Sequence, residues 1–393
     1  MTGTVVDVIL LIALLLAAVV GVSRGLLASA GALAGLAAAG VGAWWLLPLV
    51  SQTVPWPAVR GVVVAAAGVA LLLGGAGIGS AIGGMLRRGA DRIRLQPLDR
   101  LLGGALSVVV AALALSLVGQ SVAVTAIPGV SSAIASSQVL RLIDAATPRP
   151  VATALAQARQ AVLADGLPRL GALIDLPAVS RTAPPVNLDD PELQTAAQSV
   201  ARITGTAAEC SRTLTGSGFV ATPDRVITNA HVVAGISDPV VELPGAPALE
   251  GEVVYFDPVG DLAVIAVPEL GAVPLTVAGE LAAGDAAVVQ GYPFGGPFTA
   301  GAASVQMVAD VPVPDIYGSS EAIRRIYAMA ATVQPGNSGG PVLTPDGAVA
   351  GVVFARADDG SAVGYAMTTV ELMPVLAEAP DLSAPVSTGV CVR

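Results

Sequence analysis

The chain has 393 residues, 54% apolar and only 12% charged: room for two or more domains, and too greasy for an ordinary soluble enzyme. Residues 1–180 hold 11 Arg against six Asp, a net of +5, while residues 181–393 hold eight Arg against 23 acids, a net of −15. A basic, apolar front therefore precedes an acidic back, which excludes nucleic acid as a partner, and the absence of Lys excludes a Ser-Lys dyad or a Schiff-base lysine.

Val5 to Val22 is apolar apart from Asp7, long enough to cross a hydrocarbon core of about 30 Å. No Lys or Arg lies ahead of Asp7, so the stretch lacks the n-region of a secretory signal peptide and reads as a retained helix. Further spans are expected at residues 26–47, with Trp44 and Trp45 at an interfacial position, at 59–85 and at 101–127. Arg24 in the first loop and Arg87, Arg88, Arg92, Arg94 and Arg100 in the third, against Arg60 alone in the second, put the first and third loops in the cytoplasm. Residues 1–127 thus read as a four-span anchor of the cytoplasmic (inner) membrane, in contact with the lipid bilayer. Both termini then lie outside, and everything after Ile127 is extracytoplasmic.

Small residues recur four apart, as Gly21 and Gly25, Gly31 and Gly35, and Gly75, Gly79 and Gly83. That spacing suits close helix packing; a permeation path is the other reading, but no ionisable side chain sits in mid-span.

Residues 128–195 read as a juxtamembrane helical collar followed, over 181–195, by an exposed Pro- and acid-rich linker. From residue 196 to 393 the texture changes to short β-branched runs separated by Gly, Pro and Asp turns, the pattern of an all-β barrel or sandwich and long enough for a pair of small barrels.

Within that half stands Thr332 to Pro341, TVQPGNSGGP. A serine between glycines is what a tight turn needs to expose a hydroxyl and to aim its own N–H groups at a reacting carbonyl. A serine hydroxyl needs a base, and the chain has one histidine, His231, in ITNAHVV. The imidazole in turn needs a carboxylate to hold its tautomer. Asp261, which begins the run DLAVIAV, is the expected partner; Asp257 is the second choice, since it precedes a proline in the turn. One His and two distant Cys offer no metal-ligand cluster, so neither a metal nor a cofactor is expected.

The blocks TNAHVV, GDLAVIAV and QPGNSGGPV, with Gly216-Ser217-Gly218-Phe219 and Gly347 to Val353, resemble the catalytic blocks of trypsin-like serine proteases of the HtrA/DegP type. The resemblance implies a chymotrypsin-like double β-barrel, His231 and Asp261 on the first barrel and Ser338 on the second, with the N–H groups of Gly336 and Ser338 forming the oxyanion hole. Only 55 residues follow Ser338, too few for the PDZ domains of that type. Four spans ahead of a protease instead resemble the membrane-anchored actinobacterial acid-resistance serine proteases, whose front half is similar to the colicin V production proteins. This implies a periplasmic endopeptidase cleaving envelope proteins during acid or oxidative stress. That role meets one physical constraint: an imidazole ordinarily titrates near 6.5 and serves as base only when neutral. The rival class is a membrane scaffold or channel whose barrel domain only binds peptides.

Cys210 and Cys391 bracket the protease half, and in an oxidising compartment they are expected to pair, free buried thiols being the alternative. By position relative to Ser338, Thr332 is expected near the floor of the S1 pocket, and Val352, Val353 and Phe354 to pair with the substrate backbone. The linker at 181–195 is an expected self-cleavage target.

Overall fold

The glycine pattern of the front half becomes helix packing in the computed structural model, which describes residues 3–53, 57–90, 96–123, 134, 137–160, 169–170, 183, 185–207, 212–357 and 361–392. Its contacts divide the chain into two units, Asp7–Ser116 and Leu117–Arg393 with Met1–Val6. In the first, four helices follow one another: α1 (Gly3–Arg24), α2 (Leu26–Thr53), α3 (Pro57–Ala90) and α4 (Gln96–Ala123), the last running on into the second unit. A Cβ at Gly35 would lie 2.0 Å from the Gly75 carbonyl oxygen, one at Gly79 2.0 Å from that of Gly31, and one at Gly21 2.4 Å from that of Gly103. Backbones this close admit no side chain, so the stripes are contact surfaces between α2 and α3 and between α1 and α4. Gly25 also serves as the link between α1 and α2, at φ 81°. Asp99, in the first turn of α4, accepts from the Leu27 N–H at 3.2 Å, satisfying one free donor at the start of α2.

Among the described residues two helical stretches are long and apolar enough to cross a membrane, Thr4–Arg24 and Gln96–Ser116, with shorter apolar stretches at Leu26–Gly42 and Leu73–Leu86. The loops are shorter than expected. Arg60 falls in the first turn of α3 and Arg87 and Arg88 near its last, because Arg is a good helix former that continues the helix past its apolar part. Arg92, Arg94 and Cys210 lie outside the described residues.

In the second unit, α5 (Gln138–Ala146), N-capped by the Ser137 hydroxyl, and α6 (Arg149–Gln160) come ahead of the sheets. Ala156 of α6 is buried, and a Cβ at Gly296 would meet its Cβ at 2.6 Å, so α6 docks on the β-rich part. The expected linker ends early: Pro191–Ala197 is a helix, α7. Asp190 caps it, Pro191 stands at its first position, and Leu193 is buried in the core that the β-sheets share.

Two seven-stranded sheets follow. The first has the order β6-β5-β2-β3-β4-β8-β7, with β2 Val200–Ala207, β3 Arg212–Thr222, β4 Arg225–Thr228, β5 Val240–Glu242, β6 Leu249–Glu250, β7 Glu252–Asp257 and β8 Leu262–Ala266. The second has the order β1-β13-β12-β9-β10-β11-β14, with β1 Arg169–Leu170, β9 Ala286–Gly291, β10 Thr299–Pro314, β11 Glu321–Ala330, β12 Pro341–Leu343, β13 Val349–Ala357 and β14 Val363–Thr368; a further β13–β14 pairing curls it onto itself. Phe219 and Ile227 of the first sheet join Val288, Ile326, Leu343 and Phe354 of the second in one shared core, and each sheet also has a core of its own. After the helix α9 (Thr369–Glu378) the tail returns along the first sheet. There Arg225 donates to the Leu382 carbonyl at 3.0 and 2.6 Å, the Val386 N–H to Val253 and the Gly235 N–H to Thr388.

Candidate active site

His231 sits in a single helical turn, α8 (Ala230–Val233), that follows β4 directly. Its ring Nδ1 is 2.9 Å from Asp261 Oδ2 and 3.0 Å from Oδ1, and its backbone N–H donates to Oδ1 at 3.0 Å. Both residues are buried, so the carboxylate meets the imidazole out of water, where each hydrogen bond counts for more. Asp261 lies in the turn between β7 and β8 at φ 55°, a left-handed backbone that L residues rarely adopt. Asn229 donates from Nδ2 to the Asp261 carbonyl at 2.8 Å and helps to hold it there. Asp257 takes no part: its Oδ1 accepts from the Val259 N–H at 2.9 Å and closes its own turn.

Ser338 lies on a turn between two left-handed glycines, Gly336 at φ 96° and Gly339 at φ 79°. A Cβ at Gly339 would fall 2.2 Å from the Ser217 carbonyl oxygen and 2.2 Å from Thr228 Oγ1, so the first sheet presses directly on the serine turn. Asn337 shapes the turn from inside, its Oδ1 accepting from the Gln334 N–H at 2.9 Å. The N–H groups of Gly336 and Ser338 donate to no group among the described residues. The His231 Nε2 and Ser338 Oγ atoms are both buried, and neither has a hydrogen-bond partner. The fold thus joins His231 to Asp261 by hydrogen bonds but leaves Ser338 without one to the imidazole. Such bonds often form fully only once substrate is in place.

Ser217, from the Gly-Ser-Gly-Phe block, was given no role by the sequence. It is fully buried; its N–H donates to the Ser338 carbonyl at 2.8 Å and its hydroxyl to the Gly336 carbonyl at 2.7 Å, while Oγ accepts from the Tyr292 N–H at 2.9 Å. One residue on β3 therefore fixes two carbonyls of the serine turn, that of Gly336 through its hydroxyl and that of Ser338 through its backbone N–H. The signal was its place between two glycines, which leaves room for close backbone approach.

Thr332 is exposed, between the buried Ala331 and Val333. The expectation for the β13 valines needs correction. Val352 pairs with Pro341 of β12 and Met367 of β14. Val353 uses both its backbone groups on the serine turn, accepting from Gly339 at 2.8 Å and donating to Gly340 at 3.0 Å. Neither valine is left to pair with a peptide. The register with β14 slips between Val353 and Ala355, leaving Phe354 alone out of the ladder, which resumes at Ala355 and Arg356, while β1 lies parallel to Arg356 and Ala357.

Comparison with known proteins places both halves of the chain in known families. Residues 216–352 match the trypsin-like peptidase domain, and residues 6–148 match the colicin V production protein family. The serine protease Rv3671c of Mycobacterium tuberculosis is 38% identical over 269 residues, 67% of this chain and 67% of that protein. The putative serine protease HhoB of Synechocystis is 38% identical over 160 residues, 39% of this chain and 37% of that one. The crystal structure of the Rv3671c protease in its active form, 38% identical, superposes with a TM-score of 0.53 over 56% of this chain and 97% of that one. The chain therefore belongs to the serine endopeptidases that join a colicin V production-type front half to a trypsin-like, HtrA-like peptidase domain.

Proposed function

We propose that the chain is a membrane-tethered, extracytoplasmic endopeptidase that cleaves envelope proteins through His231, Asp261 and Ser338 on a chymotrypsin-like pair of barrels, in resistance to acid and oxidative stress. The observation that carries this is the buried hydrogen-bonded contact of His231 with Asp261 beside the serine turn. In the reaction the Ser338 hydroxyl turns to His231 Nε2, gives up its proton and attacks the scissile carbonyl. Asp261 keeps the proton on Nδ1, so that Nε2 is free to accept, and stabilises the imidazolium that results. The carbonyl oxygen takes its negative charge between the Gly336 and Ser338 N–H groups, which donate to no group among the described residues. His231 then protonates the leaving amine and activates water against the acyl-enzyme.

The distribution of Arg supports four spans with the protease outside the cytoplasmic membrane. Of the three β13 residues expected to pair with a peptide, the assignment is kept for Phe354, which the β14 ladder leaves out. Self-cleavage is assigned to the part of the linker ahead of α7, since α7 is built into the core. The test is labelling of the full chain with a fluorophosphonate probe over pH 5 to 8. Labelling is expected to vanish in His231→Ala at every pH of that range. Labelling that His231→Ala retains would favour the scaffold reading.

We also assign a disulfide between Cys210 and Cys391. Cys391 carries no free thiol, its Sγ lies 3.1 Å and Ala207 Cβ 3.2 Å from a Cβ built at Gly235, and Ala207 is three residues from Cys210. Closing a loop of this length stabilises by about 5 kcal/mol in the chain-entropy model. Cys391→Ala is expected to lower the melting temperature by at least 5 °C; an unchanged melting curve, with and without reductant, would sink the assignment.

A further inference from the structure

Arg324, on β11, is a buried cation outside the triad, only 3% exposed. Its Nη1 donates to the Gly260 carbonyl at 3.3 Å and its Nη2 to the Pro314 carbonyl at 2.7 Å, while its Nε is buried without a partner. The guanidinium carbon stands 5.3 Å from the centre of the Phe354 ring. Among the described residues no carboxylate forms an ion pair with it. Burial pushes the guanidinium pKa down; Asp261, Glu371 of α9, Asp257 and Asp315 are the surrounding charges that push it back. An unpaired charge is expensive to bury, and the core offers an easy apolar alternative at such a position. What Arg324 touches indicates what it does there. Gly260 precedes Asp261, and Phe354 is the residue of β13 at which the register with β14 slips.

We propose that Arg324 is a positioning residue for hydrolysis, tying the turn that carries Asp261 on the first sheet to Pro314 and Phe354 on the second. The peptide carbonyls on the two sides of Asp261 are then held from different sheets, that of Gly260 by Arg324 and that of Asp261 by Asn229. A left-handed aspartate persists only where its surroundings over-determine it, and these two bonds do so. The fork suits this place because its two arms reach two carbonyls at once while its flat face covers an aromatic ring; the ammonium of a lysine can reach one carbonyl and has no flat face. The inference rests on the triad proposed above, since Arg324 acts only through Asp261 and His231.

The test uses the full chain in detergent, as wild type, Arg324→Met and Arg324→Lys. Fluorophosphonate labelling is resolved into a maximal rate and an apparent affinity, and melting is followed in parallel. His231 is the single histidine, so labelling histidine with nitrogen-15 reports its Nδ1 proton without assignment. In Arg324→Met the maximal rate is expected to fall 10- to 100-fold, with affinity within about threefold and the Nδ1–H signal broadened or lost. Arg324→Lys is expected to recover part of both, with the melting transition kept. A folded Arg324→Met with a rate within twofold of wild type and an unchanged Nδ1–H signal would overturn the proposal. So would loss of the melting transition in both variants, which would make Arg324 a purely structural residue. If Asp261→Asn itself labels at the wild-type rate, the triad reading fails and this inference fails with it.

Discussion

Ser338→Ala is expected to lower kcat for casein hydrolysis by roughly 10⁶-fold while leaving the fold intact. The size of the loss follows from covalent catalysis. Without the hydroxyl no acyl-enzyme forms, and what remains is the help that the oxyanion donors and binding give to direct attack by water, on the order of 10³–10⁴ over the uncatalysed reaction. The stability side is read from the packing. Ser338 Oγ is buried with no hydrogen-bond partner, so removing it strands no donor or acceptor. The carbonyl of Ser338, which Ser217 does bind, is untouched by the substitution. The melting temperature is therefore expected to stay within about 2 °C of wild type or to rise slightly. A variant that keeps more than a hundredth of the wild-type rate would mean that another group is the nucleophile. Activity lost together with the melting transition would mean that the serine turn is structural rather than catalytic.

What the sequence made legible were residues whose role is written locally. Ser338 between its glycines, His231 as the sole imidazole and Asp261 at the head of an apolar run each carry a signal within a few positions. The choice of Asp261 over Asp257 rested on Asp257 preceding a proline in the turn, and in the structure Asp257 bonds the backbone of that turn. The glycine stripes were legible because four-residue spacing puts them on one helical face. Where the reading went wrong, a distant strand decided the matter. Val353 has both its backbone groups occupied by the serine turn, a pairing between residues that sequence spacing does not disclose. Proline and acids at 190–192 look like linker composition but are equally a helix start, and only the burial of Leu193 distinguishes the two. Arg324 could not be found at all: Gly260, Pro314 and Phe354 come from three separate elements and converge only in the folded chain.

Asp261→Asn is the most discriminating substitution of the triad, because it keeps shape and removes charge. Oδ1 of Asp261 accepts from the His231 backbone N–H at 3.0 Å, and both carboxylate oxygens face Nδ1, at 2.9 and 3.0 Å. An asparagine has two ways to fit. With its amide oxygen toward the backbone N–H, its NH₂ group points at Nδ1 as a donor. The ring must then carry its proton on Nε2, where it can no longer accept one from Ser338. With the amide turned over, the NH₂ group faces the backbone N–H of His231, and two buried donors oppose each other. That arrangement costs about 1–3 kcal/mol, so the first orientation prevails and catalysis fails with the geometry nearly intact. The expected result is a fall in kcat on the order of 10⁴-fold with only a small change in KM. The loss should be smaller than that of Ser338→Ala, because the nucleophile remains and a minor population of the correct tautomer can still react. The check is kcat and KM for a labelled casein, with the Nδ1 proton of the single histidine followed alongside. Its downfield signal should disappear as the proton moves to Nε2. A loss below tenfold, with that signal still in place, would show that a different acceptor orients the imidazole and that the contact of Asp261 with His231 is not what drives the chemistry.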